Sequence, residues 1–239
     1  MSIQTRIVHY SHNGIDFEAL MAWDDALTQP APAVAIAHAW AGRGPLESAK
    51  AEALAELGYV GFALDVYGGG KRGSSIKENS ALMKPLMENR SLLQARLGAG
   101  IEALQSQPEV DAQRCAAMGF CFGGLCALDL ARIGAPLQGV ISFHGLFAAP
   151  GNTSATRITA KVLVLHGYDD PMVPPAQILE LAEELKSAGA DWQLHAYGNT
   201  MHAFTNPSAN DPDFGTVYNP VADLRSWQTA VNFFAELFA

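Results

Sequence analysis

Short apolar runs alternate along this chain with longer segments of helical periodicity, and this alternation limits the possible folds more than any other feature. The apolar runs predict strands at residues 33–37, 59–64, 115–119, 140–143, 162–166 and 192–197. They are apolar throughout rather than alternating, as expected of parallel strands that helices cover on both faces. The sequence therefore predicts an α/β fold with a mostly parallel, doubly wound sheet.

The segments between these runs predict helices at residues 45–57, 78–104, 124–132, 176–188 and 221–237. Ahead of the first parallel strand, residues 3–10 and 16–23 flank the turn 11–14 and predict an antiparallel hairpin with both strands at sheet edges. The length of 239 residues suits one domain with a single large sheet and no large cap domain.

Charge and cysteine content limit the expected partners and location. The 15 Lys and Arg residues against 24 Asp and Glu residues leave a net charge of -9, so nucleic acid is not an expected partner. No apolar run approaches the roughly 20 residues of a membrane span, and the N-terminal residues lack a signal-peptide pattern. Three closely spaced cysteines argue against a disulfide framework and favour a cytoplasmic location.

A glycine-flanked cysteine follows the third predicted parallel strand, in the segment Gly119-Phe120-Cys121-Phe122-Gly123-Gly124. A strand before it and a helix after it are the context of a nucleophile elbow, where glycines let strand and helix approach closely. The turn aims Cys121 at the helix N-terminus, which favours a thiolate. Cys121 is therefore the predicted nucleophile, and Cys115 and Cys126 are predicted core residues. The alternative is a glycine-rich turn with an incidental cysteine.

An acid and a base are expected after later strands, in the chain order nucleophile, acid, base. His202 follows the strand predicted at 192–197, and as a neutral imidazole it can accept the thiol proton. Asp169 and Asp170 follow the strand predicted at 162–166, and only one of two adjacent side chains can face His202. Spacing favours Asp170, with Asp169 as a turn residue. The alternative for His202 is a solvated loop histidine.

With these segments the chain resembles the dienelactone hydrolase family, cysteine-dependent members of the α/β-hydrolase superfamily. The resemblance spans nearly the whole chain and is carried by the elbow and by residues 64–67, 170–174 and 202–204. It implies an α/β-hydrolase fold and a triad of Cys121, Asp170 and His202. It also implies an oxyanion hole formed by the backbone N–H groups of Phe122 and Trp40. No cofactor is expected.

Two positions depart from the family pattern. Ala39 stands where members that open dienelactone carry a glutamate that helps to activate the thiol, and Asn206 stands where they carry an arginine that holds the substrate carboxylate. Arg43, Lys71 and Arg72 are expected to be solvated rather than to replace that arginine. The departures favour uncharged acyl or aryl esters over dienelactone itself.

Aromatic side chains at or just beyond the carboxyl ends of the strands predict an apolar pocket for a small ester. Only about half of these rings are expected to touch substrate, since the others fill the core. His38 is also a candidate to compensate for the missing glutamate. The predicted pocket residues are His38, Ala39, Phe143, Phe147 and Phe204, next to Trp40 and Phe122.

A metal site is not expected, although His38, His144 and His166 all end predicted strands. They precede turns on different strands, no helix presents two ligands one turn apart, and histidines at strand ends usually cap backbone groups.

The predicted function is hydrolysis of small esters through an acyl-enzyme, with activated phosphotriesters as a further substrate class. A cysteine acyltransferase or peptidase using the same triad is one alternative. A non-catalytic binding protein with the same fold is another. Either a monomer or a small homo-oligomer fits the sequence.

Overall fold

The computed structural model describes residues 2–153 and 156–239. The chain divides into two compact units, Met1–Met118 and Gly119–Ala239. Parallel strand pairs occur in both units, and each unit also contributes helices. This arrangement confirms the predicted α/β class.

The first unit begins with an antiparallel hairpin of β1 (Ile3–His12) and β2 (Ile15–Asp24). Its turn is Asn13-Gly14, where both residues have positive φ, 50° and 73°, as a two-residue type I′ turn requires. β2 also pairs antiparallel with β4 (Val60–Ala63). The prediction that both hairpin strands are edge strands is therefore wrong for β2, which has a neighbour on each side.

The other strand of this part of the sheet is β3 (Ala31–Ala37), which pairs parallel with β4 and gives the order β1-β2-β4-β3. β3 and β4 are almost completely buried, as their uninterrupted apolar sequences predict. β5 (Val110–Phe120) begins in this unit and ends in the next.

The helices of the first unit are α1 (Pro45–Glu56), α2 (Ile76–Glu88) and α3 (Arg90–Gln105). The single helix predicted at 78–104 is wrong, because Asn89 leaves the helical region with φ -126° and ψ 81°. The Asn89 side chain then accepts the Leu92 N–H at 3.0 Å and caps α3. Asparagine is a preferred N-cap because its side-chain oxygen replaces the missing helical acceptor.

In the second unit, β6 (Gly139–Phe143), β7 (Lys161–Gly167) and β8 (Trp192–Tyr197) lie side by side and all pair parallel. The helices are α4 (Phe122–Arg132), α5 (Pro175–Ser187) and α6 (Pro220–Leu237). α4 is buried along its whole length and packs on β6. A short hairpin of β9 (Asn210–Asp211) and β10 (Thr216–Val217), which the sequence did not predict, follows β8.

Candidate active site

Cys121 lies between β5 and α4 in a strained conformation, with φ 56° and ψ -116°. A left-handed backbone is unfavourable for a residue with a side chain, so the surrounding structure must hold it. The Cys121 N–H donates to the Phe143 carbonyl at 3.0 Å and provides part of that support. The side chain of Cys121 is half-buried, whereas Cys115 and Cys126 are buried as predicted.

Glycines on both sides of Cys121 have no room for a side chain. A Cβ on Gly119 would overlap the carbonyl oxygen of Gly123, and a Cβ on Gly124 would lie 2.6 Å from Gly145 Cα and 2.7 Å from Ser142 Oγ. Such distances are shorter than any ordinary contact. The glycines of the motif are therefore required by the close approach of strand, helix and the loop after β6.

Asp170 and His202 form a buried hydrogen-bonded pair in the second unit. The Nδ1–H of His202 donates to Asp170 Oδ2 at 2.6 Å, and the two side chains are 1% and 0% exposed for His202 and Asp170. The other carboxylate oxygen, Asp170 Oδ1, accepts the Met172 N–H at 2.8 Å. Both oxygens of Asp170 are thus engaged, and the contact fixes the ring orientation and the tautomer of His202.

The loop that carries His202 is held against the end of β7. Asp169 accepts the Thr200 N–H at 3.1 Å with its side chain and donates its own N–H to the Thr200 carbonyl at 3.0 Å. Gly167 permits this approach, because a Cβ there would lie 2.5 Å from the Thr200 carbonyl oxygen. Asp169 is therefore a turn residue, as predicted, while its neighbour Asp170 faces His202.

The segment after the His202 loop also anchors the backbone of His202. The His202 N–H donates to the Gly215 carbonyl at 3.0 Å, and the Val217 N–H donates to the His202 carbonyl at 3.1 Å. The short β9–β10 hairpin thus holds the backbone of His202 through both its N–H and its carbonyl group.

The electrostatic surroundings of His202 favour its protonated form. Burial lowers the pKa of His202, but the charge of Cys121 and the hydrogen bond to Asp170 outweigh burial and raise the pKa to about 10. Nε2 of His202 is buried, and the interaction of the ring with Cys121 is the largest of the effects that raise its pKa. The side chains can therefore exist as a thiolate and an imidazolium that Asp170 orients.

Comparison with known proteins places this chain in a family. Residues 17–238 match the model of the dienelactone hydrolase family. The chain belongs to the dienelactone hydrolase family. Members named after carboxymethylenebutenolidase and dienelactone hydrolase are among its relatives, so the protein is an ester or lactone hydrolase with the α/β-hydrolase fold.

The relatives include proteins that match nearly the entire chain. The crystal structure of a dienelactone hydrolase-like promiscuous phosphotriesterase from metagenomic libraries is 34% identical, covers 100% of both chains and superposes with a TM-score of 0.94. A protein of Aquifex aeolicus (strain VF5), named as a candidate carboxymethylenebutenolidase, is 27% identical over 96% of this chain and 97% of its own length. An uncharacterized protein of Caenorhabditis elegans is 38% identical over 62% of this chain and 95% of its own.

Phe122, one of the two predicted oxyanion donors of this hydrolase, is the first residue of α4. The first backbone N–H groups of a helix have no partner within the helix and carry its positive dipole end. Phe122 thus directly follows Cys121 with its N–H at the helix N-terminus, and its role as an oxyanion donor stays a prediction.

Trp40, the other predicted donor, lies in the first unit on a loop that several side chains hold. The Glu47 carboxylate accepts the Ala39 N–H at 3.3 Å and the Gly44 N–H at 2.8 Å. The Tyr67 hydroxyl donates to the Trp40 carbonyl at 2.8 Å. The loop is therefore fixed on both sides of Trp40, whose role as an oxyanion donor stays a prediction.

His38 is fully buried in the first unit, and its ring holds the backbone. Nδ1 lies 2.7 Å from the Ala39 carbonyl, and Nε2 accepts the Val66 N–H at 3.1 Å. Burial lowers the pKa of His38, so the ring is neutral near pH 7. With both nitrogens bonded to main-chain groups, His38 stabilises the loop in the way usual for a histidine at a strand end.

The segment 64–67, which carried part of the family resemblance, has a structural role that the sequence did not reveal. The buried carboxylate of Asp65 accepts four backbone N–H groups, from Glu18, Tyr67, Gly68 and Gly70, at 2.8–3.3 Å. Asp65 therefore organises the loop after β4, which in turn places the Tyr67 hydroxyl against the Trp40 carbonyl.

The aromatic residues of the predicted pocket lie in the interior of the second unit. Phe143, Phe147 and Phe204 are at most 4% exposed. Phe143 stacks on Phe120 with ring centroids 4.8 Å apart, and Phe204 meets Tyr197 edge-on at 5.6 Å. In this conformation Phe143 and Phe204 fill the core, and the contact of the three rings with substrate remains a prediction.

A cavity of about 390 Å³ lies elsewhere in the second unit, between the loop after β6 and α5. Phe147, Leu181, Glu180 and Glu184 contribute to its wall, but neither Cys121 nor His202 does. This cavity is therefore separate from the predicted catalytic residues.

At the position of the family arginine, the Asn206 side chain stabilises its own turn. Asn206 Oδ1 accepts the Ser208 N–H at 3.0 Å. Lys71 and Arg72 are exposed, as expected of solvated cations. Arg43 is only half-exposed, and its Nε donates to the Glu18 carbonyl at 3.0 Å, so the expectation of simple solvation is wrong for Arg43.

His144 and Thr205 form a contact next to the elbow that the sequence analysis did not find. The Cys121 N–H also approaches His144 Nδ1, at 3.2 Å, and His144 Nε2 lies 2.8 Å from Thr205 Oγ1. The only signal in the sequence was that a polar residue directly follows β6 and another follows His202 by three positions.

Over residues 2–153 and 156–239, no group of His, Cys, Asp and Glu side chains is arranged to hold a metal ion. Within the same described parts of the chain, no helix has both the length and the apolar sequence needed to cross a bilayer.

Proposed function

We propose that this member of the dienelactone hydrolase family hydrolyses small uncharged acyl or aryl esters and lactones with Cys121, His202 and Asp170 as its catalytic residues. The observation that supports this most strongly is the buried Asp170–His202 hydrogen bond of 2.6 Å, combined with the interaction of His202 with Cys121 at a strained elbow. A histidine with only a structural role would not require, next to its second ring nitrogen, a cysteine with a strained backbone.

The reaction proceeds in two halves. The Cys121 thiolate attacks the ester carbonyl, and the backbone N–H of Phe122 donates to the oxyanion of the tetrahedral intermediate. Collapse of the intermediate breaks the C–O bond, and the His202 imidazolium gives its proton to the departing alkoxide. A thioester on Cys121 and a free alcohol result.

Water completes the cycle. Neutral His202 takes a proton from the attacking water, a second tetrahedral intermediate forms, and the C–S bond breaks. The carboxylic acid leaves, and the thiolate and the imidazolium are regenerated. Asp170 stays ionised and stabilises the imidazolium throughout.

The preference for uncharged substrates follows from Asn206 and Ala39. Asn206 carries no charge, and its carboxamide oxygen is used within the turn. Ala39 has no group that could assist a thiol. A substrate carboxylate therefore finds neither of the residues that dienelactone-opening relatives provide at these positions.

Activated phosphotriesters are a second candidate substrate class. A relative described as a promiscuous phosphotriesterase is 34% identical over the full chain, with a TM-score of 0.94. Thiolate attack on phosphorus develops charge on the phosphoryl oxygen, which the same backbone donors can stabilise. Release of p-nitrophenol from paraoxon that disappears in Cys121→Ala would support this activity, and no release at saturating paraoxon would exclude it.

A substrate panel tests the main proposal. We expect p-nitrophenyl acetate and phenyl acetate to be hydrolysed with a higher kcat/KM than a lactone that carries a carboxylate. Cys121→Ala should abolish hydrolysis of the whole panel, whereas Cys126→Ala, which removes a buried thiol from α4, should retain it. Faster turnover of the carboxylated lactone would contradict the substrate proposal, and full activity of Cys121→Ala would contradict the mechanism.

Two alternatives give different results with the same proteins. An acyltransferase would pass the acyl group to added alcohols or amines in preference to water, which product analysis detects. A binding protein would bind the esters without turnover, and Cys121→Ala would not change its behaviour.

A further inference from the structure

His144 lies next to the backbone of Cys121 in a conformation that is unfavourable for a histidine. It follows β6 and has a left-handed backbone with φ 35°, which is rare for a residue with a ring side chain. The ring is buried, with 2% of the residue exposed. A strained backbone around a buried polar ring persists only where the contacts of that ring hold it.

The contacts of His144 determine which nitrogen carries its proton. The Cys121 N–H, which the Phe143 carbonyl also accepts at 3.0 Å, faces His144 Nδ1 at 3.2 Å, so Nδ1 accepts and cannot carry a hydrogen. The hydrogen is then on Nε2, which donates to Thr205 Oγ1 at 2.8 Å. The ring is therefore a neutral bridge from the backbone of Cys121 to a side chain three residues after His202.

The surroundings keep this bridge neutral. Burial is the main reason that the pKa of His144 lies well below its ordinary value, and His202 and His166 lower it further. The ring centroid of His144 is 5.2 Å from that of His202, edge to face. A neutral ring at this distance supports His202 sterically without repelling the imidazolium that His202 forms during the reaction.

We propose that His144 and Thr205 are positioning residues that connect the nucleophile elbow to the loop of the general base. Resting on the proposed function of Cys121 and His202, the bridge keeps the thiol and the imidazole at a fixed separation. Neither His144 nor Thr205 has to touch the substrate for this role.

A histidine that simply fills space would need the ring but not the hydrogen bonds. Phe204 meets the same ring edge-on at 5.1 Å, so packing is also part of its environment. The two roles are distinguished by changes that remove a hydrogen bond without changing volume, which makes Thr205 the better residue to alter.

The test compares Thr205→Val, which removes the hydroxyl at equal size, with Thr205→Ser, which keeps it. We expect Thr205→Val to lower kcat for p-nitrophenyl acetate about tenfold with KM within about twofold, and Thr205→Ser to stay within about twofold of wild type. The rate of Cys121 alkylation by iodoacetamide should also depend more steeply on pH in Thr205→Val, because the thiolate and the imidazolium are less well paired.

If Thr205→Val does not fold, a second variant, His144→Asn, tests the same proposal. His144→Asn tolerates the left-handed backbone and keeps an acceptor near the Cys121 N–H, but its side chain is too short to reach Thr205. It should show the same fall in kcat and the same change in alkylation, and the double variant should be no worse than either single one.

Wild-type kcat and a wild-type alkylation profile in Thr205→Val or His144→Asn would overturn the proposal. So would an equal loss of kcat in Thr205→Ser and Thr205→Val. If the proposed function were wrong instead, Cys121→Ala would retain ester hydrolysis. The two proposals therefore fail with different results.

Discussion

Asp169 and Asp170 are adjacent carboxylates with different partners, and the difference decides how His202 can act. Asp170 accepts from the imidazole of His202, whereas Asp169 accepts a backbone N–H from Thr200 and closes the loop. The strand exit directs the two side chains apart, as the sequence analysis expected. The pair therefore provides a catalytic candidate and a matched control at neighbouring positions.

Asp170→Asn should lower kcat for p-nitrophenyl acetate by about two to four orders of magnitude, because an amide can force His202 into the wrong tautomer. Asp169→Asn keeps an oxygen that can accept the Thr200 N–H, so its kcat should stay within about tenfold of wild type. Steady-state kinetics of both variants measures the difference. Equal losses would show that the two carboxylates act only through loop structure.

The raised pKa of His202 predicts an unusual pH dependence of Cys121 reactivity. The pKa of His202 is about 10 rather than the ordinary 6.5. The imidazolium that forms at low pH therefore persists until the pH rises through about 10. The thiolate paired with it should therefore react with iodoacetamide at a nearly constant rate between pH 7 and 9. An ordinary cysteine with a pKa of about 8.5 instead gains about tenfold in rate per pH unit below that value.

His202→Ala is the control for this profile, since it removes the imidazolium and should restore the steep rise of an ordinary thiol. Cys115 and Cys126 are buried and should contribute little to the alkylation, which Cys121→Ala can check. A steep rise in wild type as well would contradict the ion pair.

At the scale of elements, the elbow depends on glycines that bring β5, α4 and the loop after β6 together. The motif could be found in the sequence because its spacing has a local steric cause. The break at Asn89 could not, since helical periodicity continues across it and only the Asn89 side chain ends one helix and begins the next. The prediction of β2 as an edge strand was also wrong, because pairing with β4 depends on contacts distant in sequence.

Gly124→Ala should destabilise the fold by about 1–3 kcal/mol or more, because the new methyl group would overlap Gly145 and Ser142. Gly98→Ala is the matched control in α3, where a Cβ meets nothing within 4 Å. It should raise the free energy of unfolding by up to about 1 kcal/mol, since alanine is the better helix former. Urea unfolding of both variants gives the comparison, and a neutral Gly124→Ala would show that the elbow has room to relax.

At the scale of the whole molecule, the α/β class was predictable from the alternation of apolar and helical segments. The contact between Asp170 and His202 was predictable because neighbouring parallel strands bring the loops at their carboxyl ends together. The pocket was less predictable. Phe143 and Phe204 have the apolar character of pocket residues and of core residues alike, and only packing distinguishes them. The link from His144 to Thr205 joins residues 61 positions apart and leaves no periodic signal in the sequence.

Mass spectrometry of the enzyme quenched during turnover of p-nitrophenyl acetate tests the central claim most directly. We predict an acetyl adduct on the peptide that contains Cys121, lost under conditions that cleave thioesters, and absent in Cys121→Ala together with the hydrolysis itself. His202→Ala acetylated in advance should lose the adduct more slowly, because it lacks the base that activates water. Ester hydrolysis at the wild-type rate by Cys121→Ala, with no adduct on the wild-type Cys121 peptide, would contradict the account.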